Sequence, residues 1–156
     1  MKPNIGITEK NREKVAGILN VLIADEFVLY TKTLNFHWNL CGPSFLELHE
    51  LLDKQYNQLQ QMIDLIAERT RQLGEDSAGT LKEFLQKTRL KESLEKPPAI
   101  RMLKILLTDH ETVISELRKD VKDCDKKYED QGTTDFLTGL MKDHEKMSWM
   151  LRSYLE

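Results

Sequence analysis

The chain has 156 residues, of which 40% are hydrophobic and 31% charged, and its net charge at pH 7 is −3. This length suits one domain with a sizeable core, expected to span residues 1–156 with a short N-terminal tail at 1–7. The weak negative charge gives no overall attraction to nucleic acid. The sequence contains no run of about 18 apolar residues, so it predicts no membrane span.

The N-terminus lacks the apolar segment of a secretory signal peptide. The chain contains two cysteines, Cys41 and Cys124, which are too few to build a disulfide framework. We therefore expect free thiols in a reducing environment and a cytoplasmic location.

Apolar residues recur at helical spacing, and glycine and proline are few, so the sequence predicts an all-α fold. A first long helix is expected over residues 8–39. Its apolar surface is wider than one face, which favours packing on more than one side and hence an oligomer. A second helix is expected over residues 44–73. Ser44 and Glu47 form a capping-box pattern at its start, and Gly74 can end it.

Residues 74–98 interrupt this pattern with glycines, a Pro97-Pro98 pair and a short amphipathic piece at 81–85. Pro98 suits the first turn of a third helix, whose charge-dense end and following loop occupy residues 118–130. Thr133 or Thr134 is expected to cap a fourth helix. Four long helices with one long central connection predict a ferritin-like four-helix bundle with a short helix in the crossover.

The second helix carries two pairs of possible metal ligands. His49 and Asp53 are one turn apart, as are Asp64 and Glu68, and all four project from one side of the helix. The two pairs are about 16 Å apart along the axis, so one ion cannot bridge them. Two copies packed antiparallel about a two-fold axis would bring the pairs together in two equivalent sites. His37, just before the turn, would then supply a third ligand from the first copy.

Two imidazoles and three carboxylates without a thiolate suit iron(II) or manganese better than structural zinc. The Glu-x-x-His motif of di-iron sites within a single bundle is absent, so an iron site is expected between chains. The alternative is an ordinary salt-bridged helix face. His110 and His144 lie on apolar stripes of two facing helices and are expected to be hydrogen-bonded core histidines rather than ligands.

These residues resemble the signature of the Dps family, the mini-ferritins named for DNA protection during starvation. The similarity extends over nearly the whole chain. The positions that carry it are His37-Trp38, Phe45, His49, Asp53, Asp64, Ala67-Glu68-Arg69, residues 79–84, residues 135–137, residues 143–146 and Trp149.

The resemblance implies a hollow dodecamer that acts as a ferroxidase. It would oxidise Fe(II) to Fe(III), preferentially with hydrogen peroxide, store the ferric mineral inside the shell and so protect against oxidative damage. His37, His49 and Asp53 of one subunit would bind iron together with Asp64 and Glu68 of its two-fold mate. Neutral imidazoles and ionised carboxylates are the binding forms, so we expect activity to fall at acidic pH.

Three further residues are candidates for functional roles, Trp38 by its chemistry beside His37 and two aspartates by the resemblance. Trp38 either packs at an interface or is oxidised when a radical escapes the iron site. Asp130 and Asp135 are the candidates to line the three-fold pores that admit iron in this family.

DNA binding is the alternative function, which would make the protein a nonspecific nucleoid-packing protein. In some family members a lysine-rich N-terminal extension holds DNA. Here the N-terminal segment has a surplus of two positive charges, from Lys2, Lys10, Arg12 and Lys14 against Glu9 and Glu13. Phosphate binding at physiological salt needs many cationic contacts, although a shell could multiply a weak patch by avidity. A third alternative is a structural shell or adhesive surface protein with a vestigial site.

Overall fold

The protein is described by a computed structural model that covers residues 2–156. These residues form five α-helices and no β-strand: α1 (Glu9–Asn39), α2 (Phe45–Gln72), α3 (Leu81–Lys87), α4 (Ala99–Lys126) and α5 (Gln131–Leu155). The four long helices make the bundle, and α3 lies in the connection between α2 and α4. The all-α fold and the short crossover helix are therefore confirmed. None of the helices in residues 2–156 combines the length and the hydropathy that a membrane span requires.

The bundle is built from two helix pairs. α1 packs along α2 and α4 packs along α5, while contacts of α1 with α4 and of α2 with α5 join the pairs. Leucines from every long helix fill the interior, and each fully buried leucine contributes about 1.5–3 kcal/mol. α1 also contacts α3. The wide apolar surface of α1 was expected to favour an oligomer. Much of it is instead covered by the three helices of the same chain that α1 contacts.

The N-terminus of α2 differs from its prediction. Ser44 is the N-cap residue, but its side chain makes no capping hydrogen bond, so the expected capping box with Glu47 is wrong. Its backbone ψ is 31°, whereas an N-cap hydroxyl is normally aimed at the helix by an extended backbone. A capping box does form at α3, where Thr80 has a ψ of 148° and pairs with Glu83.

The N-terminus of α5 also differs from its prediction. Asp130 caps this helix by accepting from the Thr133 backbone N–H at 2.9 Å, so the assignment of Thr133 or Thr134 as the cap is wrong. A carboxylate at this position is favourable because the exposed N–H groups and the helix dipole are both positive there. α4 stays helical through most of its charge-dense end, and Glu129 turns the chain with a φ of 55°.

The crossover is fastened to the bundle by Arg89. Asp25, which is buried on α1, accepts from the Arg89 Nε at 2.7 Å and from its backbone N–H at 2.6 Å. The same guanidinium reaches Glu116 on α4 at 3.2 Å. Preceding this anchor, α3 stacks its Phe84 ring on Phe27 of α1, with ring centroids 4.4 Å apart. The crossover thereby places α3 against α1.

Candidate metal centre

The turn between α1 and α2 brings His37 and His49 together. Their rings are stacked with centroids 3.8 Å apart and planes inclined by 17°. The His37 Nδ1 lies 3.0 Å from the His49 carbonyl oxygen, and the His49 Nδ1 lies 3.2 Å from the His37 carbonyl oxygen. A carbonyl oxygen can only accept, so each Nδ1 carries the proton. In the neutral rings both Nε2 atoms therefore keep their lone pairs, which is how metal-binding histidines are commonly oriented.

Asp53 lies one turn beyond His49 and accepts hydrogen bonds from two neighbouring side chains. The Tyr56 hydroxyl donates to Asp53 Oδ1 at 2.7 Å, and Asn57 Nδ2 donates to Oδ2 at 3.3 Å. An ionised carboxylate has about four acceptor positions, so capacity remains for a metal ion. The hydrogen bond to Asp53, followed by burial, raises the pKa of the Tyr56 phenol. Tyr56 is not among the residues predicted for the site, although its i+3 spacing from Asp53 places both side chains on neighbouring turns of one helix face.

Asp64 and Glu68 are exposed farther along α2, three turns from Asp53 on the same helix. Within residues 2–156, no three or more histidine, cysteine or acidic side chains are arranged to hold a metal ion. The fold places the His37–His49 pair and the Tyr56-bound Asp53 at one end of the α1–α2 pair, but these three side chains do not form one ligand group within the subunit. Asp64 and Glu68, the second pair of predicted ligands, lie farther along α2.

An apolar groove runs along α1, α2 and α3 on the side of α2 that carries Asp64. Its volume is about 670 Å³. Its lining is mainly apolar and aromatic and includes Ile23, Phe27, Tyr30, Ile63, Ala67 and Phe84. An exposed apolar surface of this kind, bordered by polar residues, commonly marks an interaction site. We call this surface the α1–α3 groove.

Trp38 is adjacent to His37 in the chain, but its side chain is 69% exposed, whereas His37 is 7% exposed. Successive helical residues project about 100° apart, which explains why neighbours in sequence have such different surroundings. Its packing or oxidation role remains a prediction.

The structure contradicts one of the two predicted pore residues. Asp130 is buried at 2% exposure, where it caps α5 and pairs with Arg69 NH2 at 3.1 Å. It is therefore unavailable to line a pore, because its oxygens are already engaged inside the subunit. Asp135 is exposed on the first turns of α5 and stays a candidate.

His110 and His144 are fully buried hydrogen-bonded core residues, as predicted. Their Nδ1 atoms lie 2.9 Å apart, and His144 Nε2 lies 2.7 Å from Glu26 Oε1. Burial, and then the neighbouring His144, hold the pKa of His110 well below its usual value. This contact chain links α1, α5 and α4 through the middle of the bundle.

The N-terminal cations are less available to DNA than the sequence predicted. Arg12 is buried and donates to the Leu73 carbonyl at 3.0 Å and to the Ile7 carbonyl at 2.9 Å. Lys2 forms an ion pair with Glu9. Arg12 is therefore not free to bind phosphate, because its guanidinium holds the start of α1 to the end of α2, and the predicted surplus of two positive charges overstates the cations available to DNA.

Comparison with known proteins identifies the class. The ferritin-like domain family matches residues 16–156. The chain is 36% identical over 143 residues to DNA protection during starvation protein 2 of Bacillus anthracis, covering 92% of this chain and 97% of the relative. It is 45% identical over 154 residues to a low temperature-induced protein of Nostoc sp., covering 98% of this chain and 86% of the relative.

Solved structures agree with this assignment. A Dps protein from Bacillus brevis superposes with a TM-score of 0.90 at 33% identity, covering 94% of this chain and 98% of that one. Dps from Vibrio cholerae, described as a member of the ferritin-like diiron-carboxylate superfamily, has a TM-score of 0.94 at 27% identity over 99% of this chain and 97% of its own. The protein belongs to the Dps family.

Proposed function

We propose that this protein is an iron-storing ferroxidase whose iron(II) site lies between two subunits. The main support is the reciprocal pairing of His37 and His49, in which each Nδ1 donates to the carbonyl of the other residue. A salt-bridged helix face has no need of two imidazoles with free Nε2 lone pairs beside a carboxylate. Family membership adds support, since a Dps relative is described as a ferritin-like diiron-carboxylate protein.

In this proposal the site is completed by a second copy of the chain. His37, His49 and Asp53 bind iron(II) from one subunit, and Asp64 and Glu68 bind it from the two-fold mate. Asp53 and Asp64 are separated by about 16 Å along the axis of α2, so one iron site that uses both pairs of ligands requires a second chain. The α1–α3 groove supports such packing, because Asp64 lines it and a second copy would cover its apolar wall. The full assembly is proposed to be a dodecameric shell.

The reaction moves one electron from each of two iron(II) ions to one hydrogen peroxide molecule. The O–O bond breaks, and two iron(III) ions and two hydroxide ions form. Hard carboxylate oxygens favour the more highly charged product, while the imidazoles help to retain iron(II) before oxidation. The ferric product would be stored as mineral inside the shell. Consuming iron(II) and peroxide together removes the reactants that otherwise generate hydroxyl radicals.

Glu68→Ala tests the metal assignment. We expect anaerobic iron(II) oxidation by added peroxide to be lost, while helix content and thermal midpoint change little, because Glu68 is exposed. Glu47→Ala is the matched control, since Glu47 is an exposed glutamate on the same helix that points about 160° away from His49. An unchanged oxidation rate in Glu68→Ala would overturn the ligand assignment.

A further inference from the structure

We infer that Tyr56 is a positioning residue that holds Asp53 and His37, a proposed carboxylate ligand and a proposed imidazole ligand of the same subunit, in place for the metal ion. The inference rests on the proposed function. The Tyr56 hydroxyl donates to Asp53 at 2.7 Å, and its ring packs against the His37 ring in a T-shaped arrangement with centroids 5.1 Å apart and planes inclined by 68°. One side chain thus contacts a proposed carboxylate ligand on α2 and a proposed imidazole ligand on α1.

The hydroxyl acts on Asp53. A half-buried aspartate has two rotatable side-chain bonds, and a metal ion must fix both of them when it binds. Tyr56 lies three residues later on the same helix, so its hydroxyl reaches the carboxylate across one turn. The phenol donates and does not compete for the cation. The hydrogen bond fixes one carboxylate oxygen and leaves acceptor positions for a metal ion. The Asp53 side chain therefore loses less conformational entropy when the metal binds.

The ring acts on His37. It makes a T-shaped contact with the imidazole, while the His49 ring stacks on the same imidazole with centroids 3.8 Å apart. Tyr30 of α1 packs edge-on against Tyr56 in turn, with centroids 6.3 Å apart. With Nδ1 also bonded to the His49 carbonyl, the His37 ring has little freedom to rotate. Its Nε2 lone pair is therefore held in one direction before metal binds.

These two roles can be separated by substitution. Tyr56→Phe keeps the ring against His37 and removes only the hydrogen bond to Asp53. Tyr56→Leu removes the ring as well. Residues that orient metal ligands through such contacts typically change metal affinity by about 10–100-fold when they are mutated. Phenylalanine fits the same space, so the Tyr56→Phe subunit is expected to fold and assemble as the wild type does.

The test is anaerobic titration of the assembled protein with Co²⁺. This ion does not undergo the oxidation proposed for iron(II), and its visible absorption bands report its coordination. We expect Tyr56→Phe to raise the cobalt dissociation constant about 10–100-fold and to change the shape of the bands, with an unchanged thermal midpoint. Tyr56→Leu should bind still more weakly. Tyr128→Phe is the control, because it removes the hydroxyl of a tyrosine that follows α4 and whose backbone contacts Asn11 at the start of α1. It should match the wild type.

The possible failures are distinguishable. If Tyr56→Phe binds cobalt with the wild-type constant and spectrum, Tyr56 has no positioning role, although the proposed site stands. If the wild type binds no cobalt, or if Asp53→Ala binds it unchanged, the proposed metal site is overturned and the role of Tyr56 is overturned with it.

Discussion

At the scale of single residues, the four histidines show how surroundings decide the use of one side chain. His37 and His49 lie at the turn between α1 and α2, where each Nδ1–H donates a hydrogen bond to the backbone carbonyl of the other residue. His110 and His144 are sealed in the bundle, where they contact each other and Glu26. The first pair has nitrogen lone pairs to offer a cation, whereas the second is engaged within the core.

The buried His110 should make the fold sensitive to acid. Its pKa is depressed by burial and by His144, so the unfolded chain binds a proton more readily than the native state does. The stability linked to this residue is fully present above the unfolded histidine pKa of about 6.5 and is lost as pH falls below it, by at most about 1.4 kcal/mol per pH unit.

Thermal or urea unfolding of wild type and His110→Asn between about pH 7.5 and pH 5 measures this contribution. Asparagine can still contact His144 but does not titrate. We expect the wild type to lose more stability on acidification than the variant does. Parallel curves for the two proteins would show that His110 is not responsible.

At the scale of secondary-structure elements, Asp130 joins the start of α5 to the end of α2. Its carboxylate accepts from the Thr133 N–H and hydroxyl and from Arg69. We expect Asp130→Ala to lower stability by about 2–4 kcal/mol, because it removes the helix cap and leaves Arg69 without this partner. The thermal midpoint should fall by roughly 5–15 °C at matched protein concentration.

Asp135→Ala is the matched control, because Asp135 is an exposed aspartate near the start of the same helix. Substitution of such a surface residue is expected to change stability by no more than about 0.5 kcal/mol. Equal midpoints for the two variants would show that the Asp130 contacts contribute little.

The helix ends also show the limit of pattern reading. Ser44 followed by Glu47 has the same spacing as Thr80 followed by Glu83, yet only the second pair forms a capping box. The difference is the backbone conformation of the first residue. That conformation is set at Ser44 by the turn in which the chain leaves α1 and enters α2, and sequence spacing does not encode it.

At the scale of the whole molecule, the proposed site can be tested by mixing subunits. Asp53→Ala and Glu68→Ala should each be inactive alone, because each removes a ligand from every site. In particles reassembled from equal amounts of both, half of the two-fold pairs are mixed, and one of the two sites in each mixed pair has every native ligand. We therefore expect about one quarter of the wild-type oxidation rate to return.

Native mass measurement of the reassembled particles provides the control for subunit exchange. A site contained within one chain would recover nothing from this mixture. Full exchange without recovered activity would therefore contradict the inter-subunit arrangement.

Sequence alone determined the helical class, the positions of the long helices and the placement of the two pairs of proposed ligands on one side of α2. These features follow from local periodicity, since residues four apart on a helix must share a side. The tertiary structure decided which groups each of these side chains contacts. The crossed His37 and His49 hydrogen bonds, the burial of Asp130 and Arg12, and the wall of the α1–α3 groove all depend on contacts between elements. Such contacts depend on backbone angles at turns and on side-chain rotamers, and these are fixed only when the whole bundle packs.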